Sequence, residues 1–97
     1  MAKAYWISHY QSVADPARFA EYAALAGPAI EAGGGRILLR GAAVRTFEGV
    51  EGQRDVVIEF DSVEAAVATY ESARYQAALA KLKGAVVRDV RIVEGAQ

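Results

Sequence analysis

Cysteine is absent from this 97-residue chain, which removes disulfide frameworks, thiol nucleophiles, thiolate zinc sites and iron–sulfur clusters together. Histidine occurs once, as His9, so a zinc site wanting three or four protein ligands has too few imidazoles and no thiolate. No metal and no cofactor is expected. No apolar run approaches the ~18 residues that cross a bilayer, and the stretch from Met1 to Trp6 lacks a charged start followed by a long apolar core. A soluble, cytoplasmic protein without membrane contact is the expectation. Charge of one sign is missing as well: 11 Lys and Arg face 12 Asp and Glu, a formal net charge of -1. Such a chain has no global field to recruit nucleic acid or anionic surfaces. Large apolar side chains are scarcer than the 54% hydrophobic content suggests, because 21 residues are alanine.

What remains is one domain's worth of chain, residues 1–97. At this length only about 60 to 65% of the unfolded surface is hidden on folding, so association with a second copy would help. Residues 4–10 (AYWISHY) read as a first strand. Asp15-Pro16 suits the start of a helix, since aspartate caps an orphan N–H and proline loses nothing at the first helical position. Phe19, Tyr22, Ala23, Ala26 and Ile30 share a face of it. Gly27-Pro28 predicts a kink or a division into two short helices. The run Gly33 to Gly35 closes the segment, with Gly33 as the left-handed cap.

Residues 36–47 (RILLRGAAVRTF) read as a long second strand whose Gly41 marks a bulge or close approach. A turn over 48–52 leads to a third strand over 54–60 (RDVVIEF), the two strands forming a hairpin. Asp61-Ser62 caps a second helix from about Val63, bearing Ala66, Val67 and Tyr70 on one face. Ser72 recaps a further helical stretch, and 85–93 (AVVRDVRIV) is the last strand, followed by a tail over 94–97.

The order β-α-β-β-α-β is the ferredoxin-like arrangement of an α+β protein, an antiparallel sheet with helices on one face and the other face open. Alternation assigns Val56, Ile58 and Phe60 to the helices and Val57 and Glu59 to the open face. The same parity puts Arg36, Leu38, Arg40, Ala42 and Val44 on the open face and leaves Ile37, Leu39, Gly41 and Ala43 for the helices. Tyr5, Ile7 and His9 fall on the open face, although Trp6 makes the opposite assignment nearly as plausible. An open face with that much apolar surface marks an interface.

Ala4-Tyr5-Trp6-Ile7, Gly34-Gly35-Arg36-Ile37-Leu38-Leu39-Arg40-Gly41, Phe47-Glu48-Gly49, Val57-Ile58-Glu59-Phe60 with Ser62 and Ala65-Ala66, and Val93-Glu94-Gly95 together resemble the pattern of the domain of unknown function family 1330. The resemblance covers nearly the whole chain. It implies a ferredoxin-like subunit that pairs sheet to sheet as a dimeric α/β barrel, in a superfamily that includes cofactor-independent monooxygenases and lactone isomerases. The family itself has no settled activity. This chain departs from the pattern at the end of the second helix, where only Tyr70, Ser72 and Tyr75 carry over. The arginine usual further along is replaced by the neighbourhood of Lys81, Leu82 and Lys83.

Among chemical candidates, Arg40 and Glu59 stand on adjacent hairpin strands, where a carboxylate can move a proton and a guanidinium can hold an anion. A cross-strand ion pair that only fixes register or dimer contacts is the blander and favoured reading of the same two residues. His9 is the one side chain whose ordinary titration lies near neutrality, and it competes as a merely hydrogen-bonded strand-end residue. Glu59 and His9 are thus the catalytic candidates, and Arg40, Tyr5, Tyr70 and Tyr75 the ligand-binding ones, the tyrosines being readable also as core residues with hydroxyls at the rim. Nucleophilic hydrolysis lacks an elbow motif, and the glycine run lies between a helix and a strand, the wrong order for a phosphate loop. RNA binding fails on the third strand, where Asp55 and Val57 occupy the positions of stacking aromatics. The expected protein is a homodimer enclosing a small organic molecule between its sheets. The alternative is a structural or protein-interaction module with no ligand.

Overall fold

The computed structural model describes residues 2–96; Met1 and Gln97, the last residue of the expected tail, lie outside the described residues. Seven elements follow in order: β1 (Ala4–Val13), α1 (Pro16–Ala32), β2 (Arg36–Ala42), β3 (Arg54–Phe60), α2 (Val63–Glu71), α3 (Ala73–Leu82) and β4 (Val86–Glu94). The strands form one antiparallel sheet in the order β2-β3-β1-β4. This is the ferredoxin-like α+β arrangement, with the second helical segment split in two.

Each helix starts where a short polar side chain can accept an orphan N–H. Asp15 accepts from the backbone of Arg18, Ser62 from Ala65, and Ser72 from Tyr75. Ser72 also donates its hydroxyl to the carbonyl of Thr69 at 2.7 Å, so one residue closes α2 and opens α3. The expected break at Gly27-Pro28 does not divide α1, which is assigned as one helix through both residues. A proline crowds the Cβ of the residue before it, and Gly27 has none. The missing N–H costs one bond, while Ala26, Ala29 and Ile30 remain buried on either side of the site.

The glycine run has a different division of labour from the expected one. Gly33 caps α1 at an ordinary φ of -83°, and Gly34 takes the left-handed conformation at +92°. Gly33 is glycine for another reason: a Cβ there would collide with the side chain of Thr69, whose hydroxyl is tied to the carbonyl of Ala65 at 2.8 Å. Gly33→Ala is therefore expected to destabilise the protein by about 1–3 kcal/mol, the usual cost of overpacking. Gly41→Ala, where a Cβ meets nothing within 4 Å, serves as the near-neutral control in the same thermal unfolding series.

The core lies between the sheet and the helices. Trp6, 1% exposed, stacks on Phe60 at 6.2 Å between centroids and receives the edge of Tyr75 at 4.9 Å. Ala4, Trp6, Ser8 and Tyr10 are buried on β1, as are Ile58 and Phe60 on β3. Tyr5, Ile7 and His9 accordingly point to the open face.

On β2 the expected alternation holds for only two residues. Arg36 pairs with Glu59 and Ile37 with Ile58, but the register then shifts so that Leu39 pairs with Val57 and Arg40 with Val56. Leu38 is the extra residue of a bulge. From there on, the expected faces are exchanged: Leu39 and Gly41 join the open face, and Arg40 and Ala42 join the helix face. Three consecutive large apolar residues leave the register weakly specified by pattern, and β2 is an edge strand, where bulges concentrate. The strand also ends at Ala42 rather than at Phe47. Residues 43–53 form a loop, held at its base by the Ala43 N–H donating to the Gln53 carbonyl at 3.0 Å.

Candidate functional site

The helix face of the sheet can be laid out in rows of paired residues. The first is Ile92-Trp6-Ile58-Ile37, the second Val90-Ser8-Val56-Arg40, and the third Arg88-Tyr10-Arg54-Ala42. An apolar end therefore grades into an end carrying three arginines. Over this face α1 presents Ala23, Ala26 and Gly27, side chains too small to fill the space beneath them. The result is a cavity of about 210 Å³. Its floor is Trp6, Ser8, Tyr10, Val56 and Ile58, its roof includes Phe19, Tyr22 and Ile30, and Ile37, Arg40 and Arg54 stand at its β2–β3 side.

Polar groups in the cavity are few and specific. Ser8 is 3% exposed, and its Oγ accepts the indole N–H of Trp6 at 3.1 Å. Indole is a donor only, so the serine's own hydrogen remains free to donate. The guanidinium of Arg54 lies over the ring of Phe19 at 5.7 Å, and its Nε is buried without a hydrogen-bond partner. Behind the cavity Arg88 donates to the hydroxyls of Tyr10 (3.1 Å), Tyr22 (3.3 Å) and Tyr75 (3.1 Å), and the last two hydroxyls lie 2.6 Å apart. Burial, first among the causes, raises the phenols of Tyr10, Tyr22 and Tyr75 above their ordinary range, so they are neutral donors and acceptors at neutral pH. Burial opposes the charge on Arg88, but the phenols around it outweigh that and hold its pKa above the ordinary value.

The open face carries two other polar groupings. Glu59 accepts from Arg36 Nε at 3.1 Å and from the Tyr5 hydroxyl at 3.2 Å, and Arg36 also reaches Asp61 at 3.0 Å. The Arg36 hydrogen bond is the main reason the Glu59 carboxyl is held below its usual range. Arg40 and Glu59 are not brought together, since the bulge sends Arg40 to the opposite face and the partner of Glu59 is Arg36. His9 lies across from Asp55 on one side and Asp89 on the other. Its Nδ1 is 2.8 Å from Asp55 Oδ1 and its Nε2 is 2.8 Å from Gln53 Oε1. Both ring nitrogens face acceptors, so the imidazolium is favoured and the pKa rises, the Asp55 bond contributing most.

A raised folded-state pKa stabilises the fold fully below the ordinary value of about 6.5, and that contribution is lost as pH rises through the folded value. Denaturant unfolding between pH 5.5 and 8.5 should show a fall in stability across neutrality, which Asp55→Asn flattens. An unchanged slope in Asp55→Asn would remove His9 as its source.

Of the ligand-binding candidates, Arg40 lines the cavity, Tyr5 is on the open face, and Tyr70 and Tyr75 pack against Trp6 in the core. The catalytic candidates Glu59 and His9 are on the face opposite the cavity. This cavity lies within the single chain, between α1 and the helix face of the sheet. Sequence reasoning passed over Ser8, Arg54 and Arg88. The signal was present: Arg54 is in phase with Val56, Ile58 and Phe60, and Arg88 with Val86, Val90 and Ile92. Among the described residues no group of three or more His, Cys, Asp or Glu is placed to hold a metal, and no helix is long and apolar enough to cross a membrane.

Residues 3–96 match the model of the domain of unknown function family DUF1330. The chain belongs to that family. No curated protein matches the sequence of this DUF1330 chain. Among solved structures, it is similar to RPA0582 of Rhodopseudomonas palustris, a protein of unknown function, at 18% identity and a TM-score of 0.78, over 99% of this chain and 84% of that one. It is also similar to SnoaB of Streptomyces nogalater, a cofactor-independent oxygenase, at 8% identity and a TM-score of 0.72, over 100% and 96% of the two chains. A dimeric ferredoxin-like protein of unknown function from Thermobifida fusca shares 17% identity at a TM-score of 0.65, over 99% and 92%. At these identities the likeness is one of fold alone.

Proposed function

We propose that this protein is a homodimer whose protomers each bind a small, largely apolar organic molecule in the cavity under α1. The observation that carries the reading is the cavity itself: a largely apolar space of about 210 Å³ with Ser8 and Arg54 among its few polar lining residues. A few placed polar groups in an otherwise apolar concavity are the usual composition of a ligand site. An engineered apolar cavity of about 150 Å³ accepts benzene, so this one suits a single substituted ring.

Binding, rather than proton abstraction, is the role these residues support. The cavity's side chains include no carboxylate and no imidazole, and its two phenols, Tyr10 and Tyr22, are kept protonated by burial. Pairing through the open face is supported by the exposure of Leu39 (50%), Val87 (55%) and Val93 (48%) beside Ile7 and Val57, and by the dimeric neighbour of the same fold. That apolar face equally suits a purely structural pair without a ligand, and the cavity is what supports the ligand-binding reading over it.

Trp6 is the only tryptophan and lines the cavity, so its emission reports occupancy. Titration with single-ring compounds should change it saturably, and Ala26→Phe, which fills the space from α1, should abolish the response while the far-ultraviolet circular dichroism is retained. A response that survives Ala26→Phe would place binding elsewhere.

A further inference from the structure

Three guanidinium groups occupy the helix face of this sheet with no acid among them. Arg40 and Arg54 are diagonal neighbours across β2 and β3, and Arg88 lies two strands from Arg54, across Tyr10. Among the described residues, no carboxylate comes within ion-pair distance of any of the three, whereas Arg36 on the open face engages two. Like charges on one face of a sheet repel, and buried polar hydrogens are almost always satisfied. Arg88 meets this requirement with tyrosine hydroxyls. Arg54 does not, since its Nε is buried and unpartnered. Ser8, in the same row as Arg40, adds a buried hydroxyl with a free hydrogen.

We infer that the cavity's ligand is an organic anion of about one ring, its carboxylate or equivalent oxyanion held between Arg40 and Arg54 and its apolar body lying toward Trp6, Ile37 and Ile58. The inference rests on the cavity being a ligand site and adds the charge and orientation of what it takes. A bound carboxylate relieves the repulsion between the two guanidiniums, neutralises the acid-free Arg54 guanidinium at the cavity wall, and accepts from Ser8. Charge-assisted bonds of this kind are about twice as strong as neutral ones, which makes the charge of the ligand the main term in selectivity. The phenol-bound Arg88 acts at a distance, adding positive potential without touching the ligand.

The test compares benzoate with its neutral isostere benzamide at pH 7.5, read by Trp6 emission and by calorimetry, on wild type, Arg54→Gln, Arg54→Lys and Arg40→Gln. Benzoate is expected to bind at least about tenfold more tightly than benzamide, a difference of about 1.4 kcal/mol. Arg54→Gln should erase that preference while leaving benzamide's affinity within about twofold, and Arg54→Lys should restore part of it. Arg40 is at the exposed edge strand, so Arg40→Gln gives a folded second variant in which the same ratio falls. Equal affinity for the two probes in wild type, or a ratio indifferent to both glutamine variants, overturns the anion assignment and leaves the cavity as a neutral site. Binding of sulfate alone, with neither ring compound bound, overturns it in favour of an inorganic-anion site. Failure of both ring compounds and of sulfate overturns the ligand-site reading and this inference with it.

Discussion

Replacing Trp6 with alanine is expected to lower the midpoint of thermal unfolding by about 12 °C or more. Truncating a fully buried aromatic costs about 3–5 kcal/mol, and in a domain of this length each kcal/mol moves the midpoint by about 4–8 °C. Trp6 has almost no exposed surface to soften the loss: it stacks on Phe60, takes the edge of Tyr75, contacts Tyr70 and donates to the hydroxyl oxygen of Ser8. The total stability of such a domain is about 5–15 kcal/mol, so the variant sits near the threshold of folding. Trp6→Phe keeps most of the packing and should retain the fold, while releasing Ser8 from its indole donor. A loss in Trp6→Ala no larger than in Trp6→Phe would mean that the ring is peripheral to the core.

Leu39→Glu is the substitution expected to act most strongly on assembly. The bulge sets Leu39 opposite Val57 on the open face, half exposed in the protomer, so the change costs the isolated fold little. In a two-fold pair the new carboxylate occurs twice. Burying each without a partner costs at least about 2 kcal/mol, and the pair together weakens association about a thousandfold or more. Light scattering across a dilution series should give a dimer mass for wild type and a monomer mass for Leu39→Glu at the same micromolar concentration. Equal masses for the two proteins would exclude this face as the site of pairing.

The position of Leu39 also shows where sequence reasoning succeeded and where it stopped. Element order, the helix N-caps Asp15, Ser62 and Ser72, and the inward pair Ile58 and Phe60 were legible because each rests on local chemistry: a capping side chain or a period of two. Even the join at Ser72 could be read, since one serine can end a helix and begin another. The face of Arg40 could not. Ile37-Leu38-Leu39 carries no alternation, so nothing local says that one of the three is surplus, and a shift of one residue exchanges every face beyond it. The supposed partnership of Arg40 with Glu59 depended on that parity.

The end of β2 was misread for a related reason. Residues 43–47 have strand-like composition, but they lie beyond the last rung that β3 can offer, and Val44 and Phe47 are exposed in the loop. The cavity is a property of volumes, arising because Ala23, Ala26 and Gly27 face the sheet together, and no single residue announces it. Arg54 and Arg88 are the instructive omission. Each is a charge in phase with an apolar face, a local contradiction that marks either an ion pair or a site.

Ligands are expected to meet the helix face of the sheet under α1 rather than the open face. A single nuclear magnetic resonance titration addresses it, because each face carries one unique side-chain reporter: the indole N–H of Trp6 under α1 and the imidazole of His9 on the opposite side. On addition of benzoate to the ¹⁵N-labelled protein, the Trp6 indole resonance should move saturably while the His9 ring resonances stay in place. Movement of His9 with Trp6 unchanged would contradict the account.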